Sequence, residues 1–304
     1  MEINFEFRKD RKLGDIVQDF VNLIRLIFAH FIRTILRLAV VPLCVMLVLI
    51  YYGTTKINLT SDQGWLENKE VLVVAAFFVF SFMIASMLFY GLGIEYFILL
   101  KTKRSTAFGT KDVWEGFIKN IRKYFVFLLI ALISLALLFI PLAAIFALLL
   151  FVPFVGNFAL GIGVTILGIW YFCAFLFYRE SYMEAHTALQ DTFKLIKNRL
   201  FTYGVASYIV SFIFQAMLMM LMLVPSLIIA LIAYNVLGFN EGFFDSFTGR
   251  FLSSIGVTIL VLIYVIYYMF SILVSGIIYE SAKEFSYGEN VYEKIVQIGK
   301  ERGA

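Results

Sequence analysis

The sequence predicts an all-α fold, that of a polytopic integral membrane protein with six transmembrane helices. Hydrophobic residues make up 62% of the 304-residue chain, and only 15% of it is charged. The apolar residues fall into six uninterrupted blocks, each about as long as the 20 residues that a helix needs to cross a bilayer. Because backbone groups in lipid must be paired within the chain, we expect each block to be a helix.

Short polar segments separate the predicted spans. The fifth apolar block begins near Phe201 and stays uncharged as far as Asn240, which is longer than one crossing requires. Dividing it at Pro225 would leave a seventh span of about a dozen residues, too short for a bilayer, so we predict one tilted or kinked span. In order, the spans are predicted at residues 35–52, 71–100, 126–155, 158–178, from about 201, and 252–279.

Basic residues mark one side of the membrane. Of the 25 Lys and Arg residues, all but Lys56, Lys69 and Arg250 lie in segments on the same side as the N-terminus. Lys and Arg are enriched in cytoplasmic loops, so both chain termini are predicted to be cytoplasmic. The segment MEINFEFRKDRKLGD lacks the pattern of a cleaved secretory signal. We expect a multi-pass protein of the bacterial cytoplasmic (inner) membrane, with anionic lipid headgroups contacting its basic flanks.

The cytoplasmic segments resemble one another and indicate a threefold repeat of surface helix, span, turn and span. Apolar residues recur at helical spacing in each copy, which predicts amphipathic helices lying on the membrane surface and bending into the following span. The repeat units are expected at 13–100, 112–178 and 187–279 within a single membrane domain, with a cytoplasmic tail at 280–304. The copies read DIVQDFVNLIR at 15–25, DVWEGFIKNIR at 112–122, TALQDTFKLIK at 187–197 and NVYEKIVQIGK at 290–300.

Glu95 is the strongest candidate for a functional residue. It lies six residues before Lys101, inside the predicted second span, and an acid within a membrane is costly unless it is paired or used. It either binds a proton or cation, or is an interfacial anchor paired with Lys101, Lys103 or another cytoplasmic base. Acids at the ends of the other second spans, Glu180 and Glu280, favour the anchor.

Two further groups of residues are candidates for binding. Arg33 and Arg37, four residues apart where the first surface helix meets its span, either clamp a phosphate or carboxylate or extend to the headgroups. Apolar residues of the surface helices are expected to form an interface with the membrane or a partner. They are Trp114, Phe117, Phe193 and Ile196.

Motifs for catalysis and cofactor binding are missing from the sequence. It contains no zinc-protease HExxH, no phosphate-binding GxxxxGK[ST] and no GxSxG. His30 and His186 have no second ligand at a metal-binding spacing, and Cys44 and Cys173 are isolated in apolar blocks. We therefore expect no enzyme, cofactor or metal, and the basic residues beside the spans indicate lipid rather than nucleic acid as their partner.

The amphipathic segment ALQDTFKLIKNRLFTYG, at 188–204, precedes an apolar span. In this arrangement the chain resembles bacterial six-span membrane proteins of unknown function related to the membrane domain of glycerophosphodiester phosphodiesterases. The resemblance implies membrane architecture and no catalytic residue, because no soluble region is large enough for the phosphodiesterase domain. The chain is expected to be a non-catalytic subunit or scaffold of a larger membrane complex. The alternative is a transporter or channel for a small or lipidic solute that uses Glu95.

Overall fold

The computed structural model describes residues 2–56, 69–152, 155–181, 183–232 and 247–288. The secondary structure of these ranges is helical, and one isolated β-bridge joins Glu2 to Ser105. Six helical segments in the described chain are long and apolar enough to cross a membrane. The prediction of an all-α, multi-pass membrane protein with six candidate spans is therefore confirmed.

Seven α-helices account for these segments, and a single 3₁₀ turn at Lys197–Arg199 joins the fifth helix to the sixth. The fifth candidate span, Ala185–Met220, combines those two helices. The helices are α1 Leu13–Lys56, α2 Lys69–Lys103, α3 Thr110–Leu150, α4 Val155–Glu180, α5 Ala185–Ile196, α6 Leu200–Ile232 and α7 Phe247–Tyr287.

The predicted boundary between surface helix and span is present only in the third copy. Helices α1 and α3 each run without interruption through the first and second copies and into the following span. No Gly or Pro separates the two parts in either helix, so nothing in the local sequence ends the helix there. The first two surface segments are therefore continuous with their spans, and the threefold repeat of surface helix, span, turn and span stays a prediction.

Proline positions agree with long single helices. Pro42 lies inside α1 and Pro141 inside α3, and α6 continues as a helix through position 225 to Ile232. The end of the fifth apolar block, most of the loop before α7, and the fourth copy at 290–300 lie outside the described residues.

Acidic side chains start α1 and α3 in the same way. Asp15 Oδ2 accepts a hydrogen bond from the backbone N–H of Lys12 at 3.0 Å. Asp112 Oδ2 accepts one from the backbone N–H of Gly109 at 2.7 Å. An acid in the first turn satisfies a backbone donor that the helix leaves unpaired, and its charge is favourable at the positive end of the helix dipole.

The chain divides into two compact units. The first contains Met1–His30, Gly91–Phe212 and Phe270–Ala304, and the second contains Phe31–Tyr90 and Ile213–Met269. The first unit holds the ordered N-terminal segment 2–12, the C-terminal ends of α2 and α7, and all of α3, α4 and α5. In the second unit, apolar side chains of α1, α2 and α7 surround a small apolar cleft, among them Met46, Ile50, Phe82 and Val257.

The first copy buries its apolar face against the protein rather than in lipid headgroups. Ile16, Phe20, Leu23 and Ile27 of α1 are all fully buried. The spacing of these residues is that of one helix face, as predicted, but the surface that covers it is the first unit itself. Ile3 and Phe7 of the N-terminal segment are also buried.

Gly276 marks a close approach between α7 and α2. A Cβ atom placed on Gly276 would lie 2.5 Å from Cε2 and Cζ of Phe97, whose side chain is fully buried. Small residues let helices approach closely in membrane proteins, where the hydrophobic effect does not drive helices together. Gly256, on the same helix, has nothing within 4 Å of the corresponding position among the described residues.

We predict that Gly276→Ala destabilises the protein and that Gly256→Ala does not. Overpacking a buried ring costs about 1–3 kcal/mol, whereas Ala is favoured over Gly at an open helical position by about 1 kcal/mol. Thermal unfolding of the detergent-purified variants, followed by tryptophan fluorescence, measures both. Equal melting temperatures for the two variants would contradict the packing described for α2 and α7.

Candidate functional site

Glu95 is enclosed by three helices of the first unit. Its side chain is 3% exposed and lies on α2, facing α3 and α4. Gly116 of α3 provides the space for it, because a Cβ atom there would come within 2.9 Å of Glu95 Oε2. The absence of a side chain at this one position of α3 therefore lets the carboxylate approach the helix surface.

Three side chains donate hydrogen bonds to the Glu95 carboxylate, and together with Glu95 we call them the Glu95 site. Arg179 of α4 donates from Nε to Oε1 at 2.8 Å and from Nη2 to Oε2 at 3.2 Å. From α3, the Tyr124 hydroxyl donates to Oε1 at 2.9 Å, and the Asn120 amide donates to the same oxygen at 3.2 Å. Both oxygens are thus occupied by donors from the protein.

This geometry fixes the Glu95 carboxylate in place. A two-point contact with a guanidinium is directional and stronger than a neutral hydrogen bond, and two neutral donors complete the coordination. The cation is Arg179, which is 84 residues away in the chain, and not Lys101 or Lys103. Charge balance and satisfied hydrogen bonds are the conditions under which a buried carboxylate is tolerated.

Lys101 joins the other two acids that sequence analysis singled out. Its Nζ contacts Glu280 Oε1 at 2.7 Å and also donates to Glu180 Oε1. Glu180 Oε2 further accepts from the Tyr279 hydroxyl at 3.0 Å and from Lys283 Nζ at 3.3 Å. We call these five residues the Lys101 site, and they connect the ends of α2, α4 and α7 within the first unit.

Glu280 is the most enclosed member of the Lys101 site. Its side chain is 0% exposed, whereas that of Lys101 is 18% exposed. Its Oε2 atom has no hydrogen-bond partner in the described chain, and Arg8 Nε lies 3.6 Å from it. Of the ion pairs that Glu280 forms with Lys101 and with Arg8, the one with Lys101 is the shorter.

The N-terminal segment is held beside these sites by two arginines. Arg11 is 1% exposed, and it donates from Nε to Asp19 at 2.8 Å and from Nη1 to the carbonyl of Phe7 at 2.8 Å. Its backbone N–H donates to Ser281 Oγ of α7 at 3.0 Å. Arg199 pairs with Asp10 and lies 3.8 Å from the ring centroid of Phe285.

His30 joins α1 to α2 and to the segment that follows α2. Its Nε2 is 2.9 Å from the carbonyl oxygen of Phe108, which can only accept, so Nε2 carries the proton. Its Nδ1 is 2.9 Å from the Tyr96 hydroxyl, which donates to it when the imidazole is neutral. Tyr96 is fully buried and follows Glu95 directly. His30 therefore has a packing role.

The candidate residues Arg33 and Arg37 are both exposed on α1. Their guanidinium groups form no ion pair or hydrogen bond with any residue that the structure describes. They belong to the second unit and take no part in the Glu95 or Lys101 sites.

The four apolar interface candidates do not form one exposed surface. Phe117 is 2% exposed and packs against Tyr124, with ring centroids 5.2 Å apart, and Ile196 is fully buried. Trp114 and Phe193 are 42% and 43% exposed. Phe117 and Ile196 therefore contribute to the packing of the first unit and are not available to a partner.

The sequence alone does not identify the cations of these sites. It offers Lys101 as a partner of Glu95, whereas Lys101 contacts Glu180 and Glu280, and it does not single out Arg179 or Arg11. Alternating apolar residues in INFEF, at 3–7, are the signal that the N-terminal segment packs on the protein. No group of three or more His, Cys, Asp or Glu side chains in the described chain is placed to hold a metal ion.

We predict that Lys101→Met lowers the free energy of unfolding by about 3–5 kcal/mol, the cost of leaving a buried charge unpaired. The matched control is Lys103→Met, two residues further along the same helix. Lys103 is 39% exposed and 3.9 Å from Asp112, so its loss should cost under about 1 kcal/mol. Denaturation of both variants in detergent gives the comparison, and similar losses for the two would contradict the role given to Lys101.

Comparison with family models, with curated proteins and with solved structures finds no match for this chain. The resemblance to the membrane domain of glycerophosphodiester phosphodiesterases stays a prediction.

Proposed function

We propose that this chain is a non-catalytic integral membrane subunit or scaffold of a larger bacterial membrane protein complex. The observation that carries the proposal is the coordination of Glu95, whose two oxygens are occupied by Arg179, Tyr124 and Asn120. A carboxylate that carried a solute would have to exchange its partners for the solute. This one is instead enclosed in a set of directional contacts that fix three helices together.

The proposal places both termini, the Glu95 site and the Lys101 site at the cytoplasmic face of the inner membrane. The distribution of Lys and Arg along the sequence supports this orientation. The threefold repeat is part of the proposal, and the matching helix-start contacts of Asp15 and Asp112 support it. So does the buried face of α5, which includes Leu189, Leu195 and Ile196.

The proposed docking surface is an exposed apolar ridge on α3. It lies just before the predicted third span, which begins at residue 126, and aromatic side chains on exposed faces are typical of protein interfaces. Its members follow one another at steps of four, three and four residues, so they share a helix face. The α3 ridge consists of Trp114, Ile118, Ile121 and Phe125, which are 42%, 47%, 42% and 53% exposed.

We predict that the chain purifies from its native membrane in mild detergent with stoichiometric membrane-protein partners, identified by mass spectrometry. In the double variant Trp114→Ala/Ile118→Ala, the amount of partner that co-purifies should fall about tenfold or more. The reason is that apolar residues at the centre of an interface carry about 2 kcal/mol or more each. The matched control is Phe139→Ala/Ile140→Ala, on the same helix but within the predicted span, where the side chains are 69% and 78% exposed. The control should retain the partners.

A different result would support the alternative function. A chain that purifies alone, conducts solute when reconstituted in liposomes, and loses that conductance on Glu95→Gln while keeping its melting temperature would be a transporter or channel. If the α3 ridge variant retained all partners, the docking surface would have to lie elsewhere on the chain. That result would contradict the role proposed for Trp114 and Ile118.

A further inference from the structure

Arg33 and Arg37 lie on α1 at the start of its predicted membrane span. Residues 38–55 carry no charged side chain, and as a helix they extend about 27 Å, close to the thickness of that core. Arg37 is thus the last charge before the crossing, and Arg33 precedes it by one turn. We therefore expect both guanidinium groups at the depth of lipid phosphates.

Arg33 and Arg37 differ from Arg11, Arg179 and Arg199 of the first unit, because no described residue pairs with their guanidinium groups. Arg11, Arg179 and Arg199 all contact carboxylates of the protein. Arg33 and Arg37 are exposed, and no described residue neutralises them. Around them the exposed surface of α1 is apolar, with Leu36, Val40 and Val41 at 37%, 54% and 70% exposure.

We propose that Arg33 and Arg37 together bind the phosphate of an anionic phospholipid. Side chains four residues apart share a helix face about 6 Å from each other, so both guanidinium groups can reach one phosphate. Arginine presents a planar set of donors that matches phosphate oxygens in two-point contacts. The exposed apolar residues beside the pair accommodate the start of the acyl chains.

The lipid headgroup is favoured over free phosphate by the position of the pair. A soluble anion would gain the two guanidinium contacts alone, whereas a phospholipid also places its chains against Val40 and Val41. Anionic lipids are enriched in the cytoplasmic leaflet and attract basic residues at its surface. The site is independent of the proposed scaffold function, because neither arginine belongs to the α3 ridge or to the buried ion pairs.

The test is native mass spectrometry of the full chain in detergent, titrated with phosphatidylglycerol and with phosphatidylcholine of the same acyl chains. The wild-type protein should bind phosphatidylglycerol at least tenfold more tightly than phosphatidylcholine. The variant Arg33→Gln/Arg37→Gln should lose that preference. Its melting temperature in detergent should be unchanged, because both side chains are exposed and Gln is a good helix former.

The control is Lys119→Gln/Arg122→Gln, which removes the same charge from exposed positions on α3 and should keep the preference. Equal phosphatidylglycerol binding by the Arg33/Arg37 variant and the wild type would overturn the proposal. An equal loss in the control variant would also overturn it, because net charge alone would then explain the binding. Inorganic phosphate that displaced phosphatidylglycerol at comparable concentration would overturn the assignment to a lipid.

Discussion

The contact between Glu95 and Arg179 is the constraint on which the arrangement of α2, α3 and α4 depends. Apolar side chains are nearly as well solvated by lipid as by one another, so burial alone does not select one helix pairing. A buried carboxylate does select a pairing, because leaving it without a cation in a low-dielectric interior is costly. Arg179 meets that requirement from α4, while Tyr124 and Asn120 meet it from α3.

The same logic extends to the Lys101 site, where each acid receives its cation from another helix. Arg179 directly precedes Glu180 yet binds Glu95, and Lys101 follows Glu95 on α2 yet binds Glu180 and Glu280. The acid and the base of each pair lie on different helices. Displacing one helix therefore breaks ion pairs of the others. We infer that the helix ends of the first unit form a cooperative structure suited to presenting the α3 ridge.

The helices and spans could be predicted from sequence because long apolar blocks determine them locally. The ion pairs could not, since Glu95 and Arg179 are 84 positions apart and several bases compete for each acid. The predicted interface failed at Phe117 for a related reason. Helix α3 is apolar on more than one side, so its periodicity cannot show that Phe117 faces inward while Trp114 faces outward. No Gly or Pro separates the surface segment from the span in α1 or α3, so the sequence does predict that each of these helices is continuous.

The most direct test is a double-mutant cycle on Glu95→Gln and Arg179→Gln, with the free energy of unfolding measured in one detergent. If the pair fixes the three helices, each single variant should be strongly destabilised. The free energy of unfolding should fall less in the double variant than the two single-variant losses added together, which gives a coupling energy of about 2–3 kcal/mol. A coupling energy below about 0.5 kcal/mol would show that the two residues act independently and would contradict this account of the fold.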